Sequence, residues 1–353
     1  MKKSNLRIGK SIITTLVLST SMMSMTGVTF ADQVTNDAPP SVTIQGETWY
    51  QVSTAAQLEY IDQNQSAYLN ANIELMNDIY IGAYPWTPFG TFSTNYSGVF
   101  NGQNHFVSGI TVNDPLIDFV GFFGVTSGTI ENVNVIDNLR GGSIIGGLVG
   151  SQNGGKITNC STDGSVSGAV NGPVYGGGDA VGGLVGTQYE GSITDSYSSE
   201  SVYGSNTVGG LVGQQIKSSI TNSYAVGLVT GSSPAGGLVG QQVNSSITNS
   251  YFDTTTTGQS LGVGTGSQSG VTAEIDTAMK TEATFSSWDF SKTWGIYSAF
   301  NQGYPYLLND FNSKGAGGGV VGQMPEVPLA GVLPLLGLAG VGAFWLRRRQ
   351  SVK

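Results

Sequence analysis

SSITNSYA (Ser218–Ala225), preceded by GGLVG (Gly209–Gly213), is the passage on which the reading of this chain turns, because both halves recur. GGLVG stands also at Gly146–Gly150, Gly182–Gly186 and Gly236–Gly240, with a degenerate first copy, VGFFG, at Val120–Gly124. Behind each comes the second element: GTIENVNV from Gly128, GKITNCS from Gly155, GSITDSYS from Gly191 and SSITNSYF from Ser245. The isoleucines Ile130, Ile157, Ile193, Ile220 and Ile247 are spaced 27, 36, 27 and 27 apart, so one structural unit corresponds to one repeat. Each unit reads as two short apolar strands separated by Gly, Ser and Asn turns, with no helical periodicity. A lone unit of this length cannot bury its apolar side, so the units must stack coil on coil.

Stacking in register aligns Asn132, Asn159, Asp195, Asn222 and Asn249 in one column, where side-chain amides can hydrogen-bond along the stack. One position on, Val133, Cys160, Ser196, Ser223 and Ser250 form a column of small residues in which Cys160, the single cysteine, is a core or turn filler. The next column ends in Tyr197, Tyr224 and Tyr251. These rings either stack as a structural ladder or offer an aromatic strip to a ligand. The longer spacing places nine extra residues within AVNGPVYGGGDAV (Ala169–Val181), a side loop of the stack in which Asp179 is a candidate binding residue.

Composition agrees with a β repeat: 53 of 353 residues are Gly and 10% are charged. The first 31 residues carry Lys2, Lys3, Arg7 and Lys10 ahead of an apolar run ending at Ala31, the pattern of a secretory signal. From Pro328 to Leu346 nineteen residues pass without a charge and meet Arg347, Arg348 and Arg349, the pattern of a membrane-spanning helix with a basic cytoplasmic tail. The tail also resembles a sortase sorting signal, from which Val327–Gly331 departs in sequence. Eight of the 14 basic residues lie in these two ends, leaving six bases against 23 acids between them, a surface that repels nucleic acid.

GGLVG followed by SITNSY resembles the GLUG motif of bacterial surface proteins, among them adhesin-like proteins and the non-catalytic regions of some immunoglobulin A peptidases. The flanks are similar too, with YQVSTAAQLEYI (Tyr50–Ile61) and YSGVFNGQNHFVSGITV (Tyr96–Val112) before the coils and WDFSKTWGI (Trp288–Ile296) and GYPYL (Gly303–Leu307) after them. The resemblance covers roughly residues 50–308 and implies an all-β fold, a single-stranded right-handed parallel β-helix. The expected organisation is a signal peptide (1–31), a linker (32–45), a leading and capping part of the β-helix (46–115), the GLUG coils (116–256), a closing segment (257–310), a Gly-rich linker (311–326) and an anchor (327–353).

No catalytic constellation is legible. The isolated acids Asp114, Asp118, Asp137 and Asp163 share no repeat position that would project them together, as a glycosidase requires. His105, the single histidine, reads as part of a turn in FNGQNHF, and no His-Glu-x-x-His helix is present. Trp86, Trp288, Trp294, Tyr304 and Tyr306 read as apolar plugs for the open ends of the stack. The expected function is a surface-displayed adhesin-like or scaffold module, held to the membrane by its C-terminal helix, with a glycan or a host or matrix protein as partner. No cofactor and no metal is assigned, and the alternative is a carbohydrate-active β-helix enzyme.

Overall fold

The computed structural model describes residues 37–82, 84–168, 180–231 and 235–308. The signal segment, the apolar C-terminal run and Asp179 lie outside them, as does nearly all of the side loop. Among the described residues no helix is long and apolar enough to cross a membrane.

The chain winds as a β-solenoid of about seven turns. Three parallel sheets run along its length. The longest includes Val99–Asn113, Thr129–Gly141 and Lys156–Gly168, and continues through Tyr197–Ser198, Tyr224–Ala225 and Ser250–Asp253. The second stacks Phe123–Thr126, Val149–Asn153, Val185–Tyr189, Val212–Ile216, Val239–Val243 and Val263–Thr265, and the third stacks the strands just before these, such as Ile144–Gly146, Ala180–Gly182 and Thr207–Gly209. The isoleucine column pairs in register throughout, Ile130 with Ile157, then Ile193, Ile220 and Ile247.

GGLVG forms a corner between two sheets. Its first Gly ends a strand of the third sheet and its Val opens a strand of the second. The corner is tight: a Cβ on Gly209 would lie 2.0 Å from the Val212 carbonyl oxygen and 2.6 Å from the Gly240 nitrogen. Leu148, Leu184, Leu211 and Leu238 turn inward at this bend and are fully buried. With the valines and isoleucines they form the core, each such side chain contributing about 1.5–3 kcal/mol by leaving water.

From the Ile157 coil onward, the second motif is bounded by two left-handed residues. Asn132, Asn159, Asp195, Asn222 and Asn249 all adopt φ between 47° and 56°, and Glu190, Lys217 and Asn244 adopt 48° to 53° at the other end of the short SIT strand. Asn and Asp tolerate this conformation, which costs most L-residues about 1–2 kcal/mol. The amide column also bonds along the stack: Asn132 Nδ2 donates to Asn101 Oδ1 (3.2 Å), Asn159 Nδ2 to Asn132 Oδ1 (3.2 Å) and Asn222 Nδ2 to Asp195 Oδ1 (3.1 Å). Asn222→Ala is accordingly expected to destabilise by about 1–2 kcal/mol while Asn222→Gly costs less. Urea melts of the two variants measure the difference, and equal melts would remove the conformational argument.

Behind the asparagines, a serine column repeats one bond at every coil. Cys160 N donates to Ser196 Oγ (3.1 Å), Ser196 N to Ser223 Oγ (3.2 Å) and Ser223 N to Ser250 Oγ (3.2 Å). Cys160 is buried in this column, its thiol 3.3 Å from the Thr158 carbonyl oxygen where Ser196 places its hydroxyl on Thr194. A second ladder escaped the sequence reading. Gln152, Gln188 and Gln215 are fully buried, and each donates its Nε2 to the backbone carbonyl of a later SIT strand, at Ser192, Ser219 and Ser246. The signal was present in the Gln that follows each GLVG at the repeat spacing.

The leading end departs from the repeat. Ser41–Ile44, assigned to the linker from sequence, pairs antiparallel with Glu47–Val52 in the first sheet. The helix Ala55–Gln63 follows, with Thr54 Oγ1 accepting from Gln57 N and Gln57 Oε1 accepting from Ser53 N, and it buries Leu58 and Ile61 against the first coils. A Thr-x-x-Gln start of this kind is a helix signal. His105 lies inside the strand Val99–Asn113, just after the turn residues Gln103 and Asn104, with Nδ1 3.0 Å from Asp78 Oδ1.

Candidate functional site

Two flanks of the solenoid bear on function, and the first is sealed. Tyr197 and Tyr224 stack with ring centroids 4.9 Å apart and planes 5° from parallel, and Tyr251 continues their column in register. All three are buried, at 4%, 0% and 7% exposure. What buries them is the closing segment, which runs back along the flank and does not plug the end. Trp288 and Trp294 stack on one another at 4.3 Å and tilt over Tyr224, while Phe285 meets Tyr251 edge-on. Hydrogen bonds fasten this cover, among them Trp288 Nε1 to Asn249 O, Trp294 Nε1 to Asp195 Oδ1, Tyr251 OH to Thr284 O, Tyr224 OH to Pro305 O and Tyr304 OH to Asp253 Oδ2.

The tyrosines are thus the floor of a second apolar core and not a strip open to a ligand. The expectation that Trp288, Trp294 and Tyr304 plug an open end is corrected in the same way, since outward-facing Tyr rings need a cover and these residues supply it. Tyr306 pairs in the short antiparallel ribbon of that segment. Trp86 packs at the leading end, stacked 4.8 Å from Phe122 with its Nε1 donating to the Phe122 carbonyl.

The other flank is open. At the corner between the second sheet and the SIT strands runs a groove of about 730 Å³ that crosses successive coils. Its wall is a repeated set: Lys156, Ser192, Ser219 and Ser246 in one row, Glu190, Lys217 and Asn244 in another. Lys217 Nζ stands 3.3 Å from Glu190 Oε1 and 5.5 Å from the centre of the Tyr189 ring. Hydrogen bonds from Tyr189 and Lys217 hold the Glu190 carboxyl below its ordinary range, and those with Glu190 and Tyr189 hold the ammonium above its own. Both groups are therefore charged at neutral pH.

Their backbone sharpens the point. Gly154 and Asn244 adopt positive φ without strain, whereas Glu190 at 53° and Lys217 at 49° hold equivalent turns with residues that resist them. Turn chemistry alone favours Gly or Asn here, and Glu190 and Lys217 instead set a charged pair on the surface. The groove can hydrogen-bond hydroxyls and amides along its length and set a paired charge against them. Glu190 is the sole carboxylate among the described residues lining it.

Elsewhere, the structure brings together acids that the sequence reading kept apart. Asp137 and Glu200 meet inside the solenoid, with Asp163 near them. Asp114 and Asp118 stay on the loop before the third sheet, where Asp118 Oδ1 accepts from Ser143.

Comparison with known proteins agrees with this architecture. The family model for the GLUG motif matches residues 177–203 and 204–230, two successive coils, so the chain carries GLUG repeats. Halomucin of Haloquadratum walsbyi is 35% identical over an alignment of 137 residues that covers 35% of this chain and 2% of halomucin's own length. A crystal structure of a candidate immunoglobulin A1 protease from Bacteroides ovatus superposes with a TM-score of 0.57 at 20% identity, covering 74% of this chain and 92% of that one. That likeness is one of fold.

Proposed function

We propose that this GLUG-repeat protein is a surface-displayed binding module, an adhesin-like right-handed β-helix exported by its N-terminal segment and held at the envelope by its C-terminal apolar run, with the open groove as its contact surface. The observation that carries the reading is the groove's construction: a serine hydroxyl at the same position of three successive coils, Ser192, Ser219 and Ser246, with Glu190 and Lys217 placed beside them where the turn itself disfavours them. An extended ligand laid along the axis meets these three hydroxyls at steps of about 4.8 Å. A glycan fits such a surface, and an extended segment of a host or matrix protein is the second class of partner. The sequence resemblance to surface proteins and the partial match to halomucin support display at the cell surface.

Full-length protein is expected in the envelope fraction with its solenoid accessible to added protease, and chain truncated before Pro328 in the medium. In a glycan and matrix-protein binding screen, Lys217→Ala with Glu190→Ala is expected to weaken the best ligand about tenfold, or about 1.4 kcal/mol, at unchanged melting temperature. Retention of full affinity would remove the groove from the reading. The alternative, a polysaccharide lyase or hydrolase, predicts release of sugar fragments from the bound glycan. A hydrolase would need a second carboxylate beside Glu190.

A further inference from the structure

Asp137 and Glu200 occupy one column of the long sheet, two coils apart. Asp137 pairs with Gly164, and Gly164 immediately precedes Ser165, which pairs with Ser201 next to Glu200. The coil between the two acids thus carries no side chain at their position. Both acids are buried, at 6% and 0% exposure. Among the described residues, no amide, hydroxyl or cationic group donates a hydrogen bond to any of their four carboxyl oxygens. They converge instead on each other: a Cβ on Gly147, across the interior, would lie 2.8 Å from Asp137 Oδ2 and 2.9 Å from Glu200 Oε1. Two glycines therefore clear the space in which the carboxyls meet.

Two carboxylates in an apolar interior repel and lack solvation, so one of them must be neutralised. Among the described residues no cation acts on either group. Asp163, the other titratable group that acts on both, is an acid held by Ser199. Thr162, nearby, gives its hydroxyl to the Gly183 carbonyl, and Ser198 Oγ accepts from the Glu200 backbone.

We propose that Asp137 and Glu200 share one buried proton across Gly164, and that this acid–carboxylate pair is a pH-sensitive clasp joining three successive coils of the solenoid. With the proton in place one carboxyl donates to the other, a short charge-assisted bond. When it leaves, two anions are confined in one dry space and the coils are driven apart. Burial first, and then the neighbouring acids, push both groups well above the ordinary carboxylate range. The folded state consequently binds the proton more tightly than the unfolded chain. The clasp contributes fully at pH values below the ordinary carboxylate range and is lost as pH rises through the raised value, opposite in sign to ordinary acid denaturation.

The test follows melting temperature from pH 4 to pH 9 for the full chain in mild detergent, for wild type and Glu200→Gln, with chelator and with added calcium. Gln donates to Asp137 at every pH and so imitates the protonated pair. The variant should melt higher than wild type at pH 8 by about 4 °C or more, and the two should converge at pH 4. Parallel profiles would overturn the shared proton. Calcium that raises the wild-type midpoint at pH 8, and not that of Glu200→Gln, would overturn it too, by showing that a metal neutralises the pair. If the variant fails to fold, infrared spectra of wild type decide: a carboxylic-acid carbonyl band persisting at neutral pH supports the clasp, and its absence refutes it.

Discussion

Leu211→Asp is expected to abolish the cooperative fold of the solenoid. Leu211 is fully buried at the corner of its coil, where its amide donates to the Leu238 carbonyl (2.9 Å) and its carbonyl accepts from Leu184 (2.9 Å). Truncation to Ala would forfeit transfer energy and leave a cavity, about 2–5 kcal/mol. Asp adds a charge to an interior whose described residues include no buried Lys or Arg to meet it, at several kcal/mol more. Coils in a solenoid are stabilised only by their neighbours, so a broken central coil uncouples the stack on both sides. Circular dichroism melts should show Leu211→Ala shifted down and Leu211→Asp without a transition. Melts of Leu211→Asp that overlay wild type would mean that the leucine column does not face the core.

Trp294→Ala should strip the cover from the tyrosine flank while leaving the coils folded. Trp294 is fully buried, stacks on Trp288 at 4.3 Å and donates its indole N–H to Asp195 Oδ1 at 3.3 Å, so its removal costs about 3–5 kcal/mol locally. Trp294→Phe keeps most of the packing and loses only the hydrogen bond, about 1 kcal/mol. Limited proteolysis should then cut Trp294→Ala between residues 285 and 307, with the β-sheet circular dichroism retained. An unchanged digestion pattern would show that the closing segment is held by something other than this stack.

Much of this architecture was legible in the residues themselves, and for a single reason. In a solenoid every coil meets a near-copy of itself, so each local demand recurs at the repeat spacing and appears as a column. The Ile column, the inward Leu at the GGLVG corner and the Asn set at the left-handed turn are all such demands, each satisfied by the next coil in sequence. What the sequence alone did not determine lies where partners are distant and occur once. The closing segment could cap an end or lie along a flank. Contacts spanning 99 residues, from Trp294 to Asp195, and 81 residues, from Tyr224 to Pro305, chose the flank. That choice turned three tyrosines from a surface strip into a core. Asp137 and Glu200 likewise show no relation in the sequence, because the coil between them carries Gly164 in their column. Only stacking puts Gly164 between them and Gly147 opposite, and only the folded interior, by excluding water, makes two ordinary acids depend on one proton.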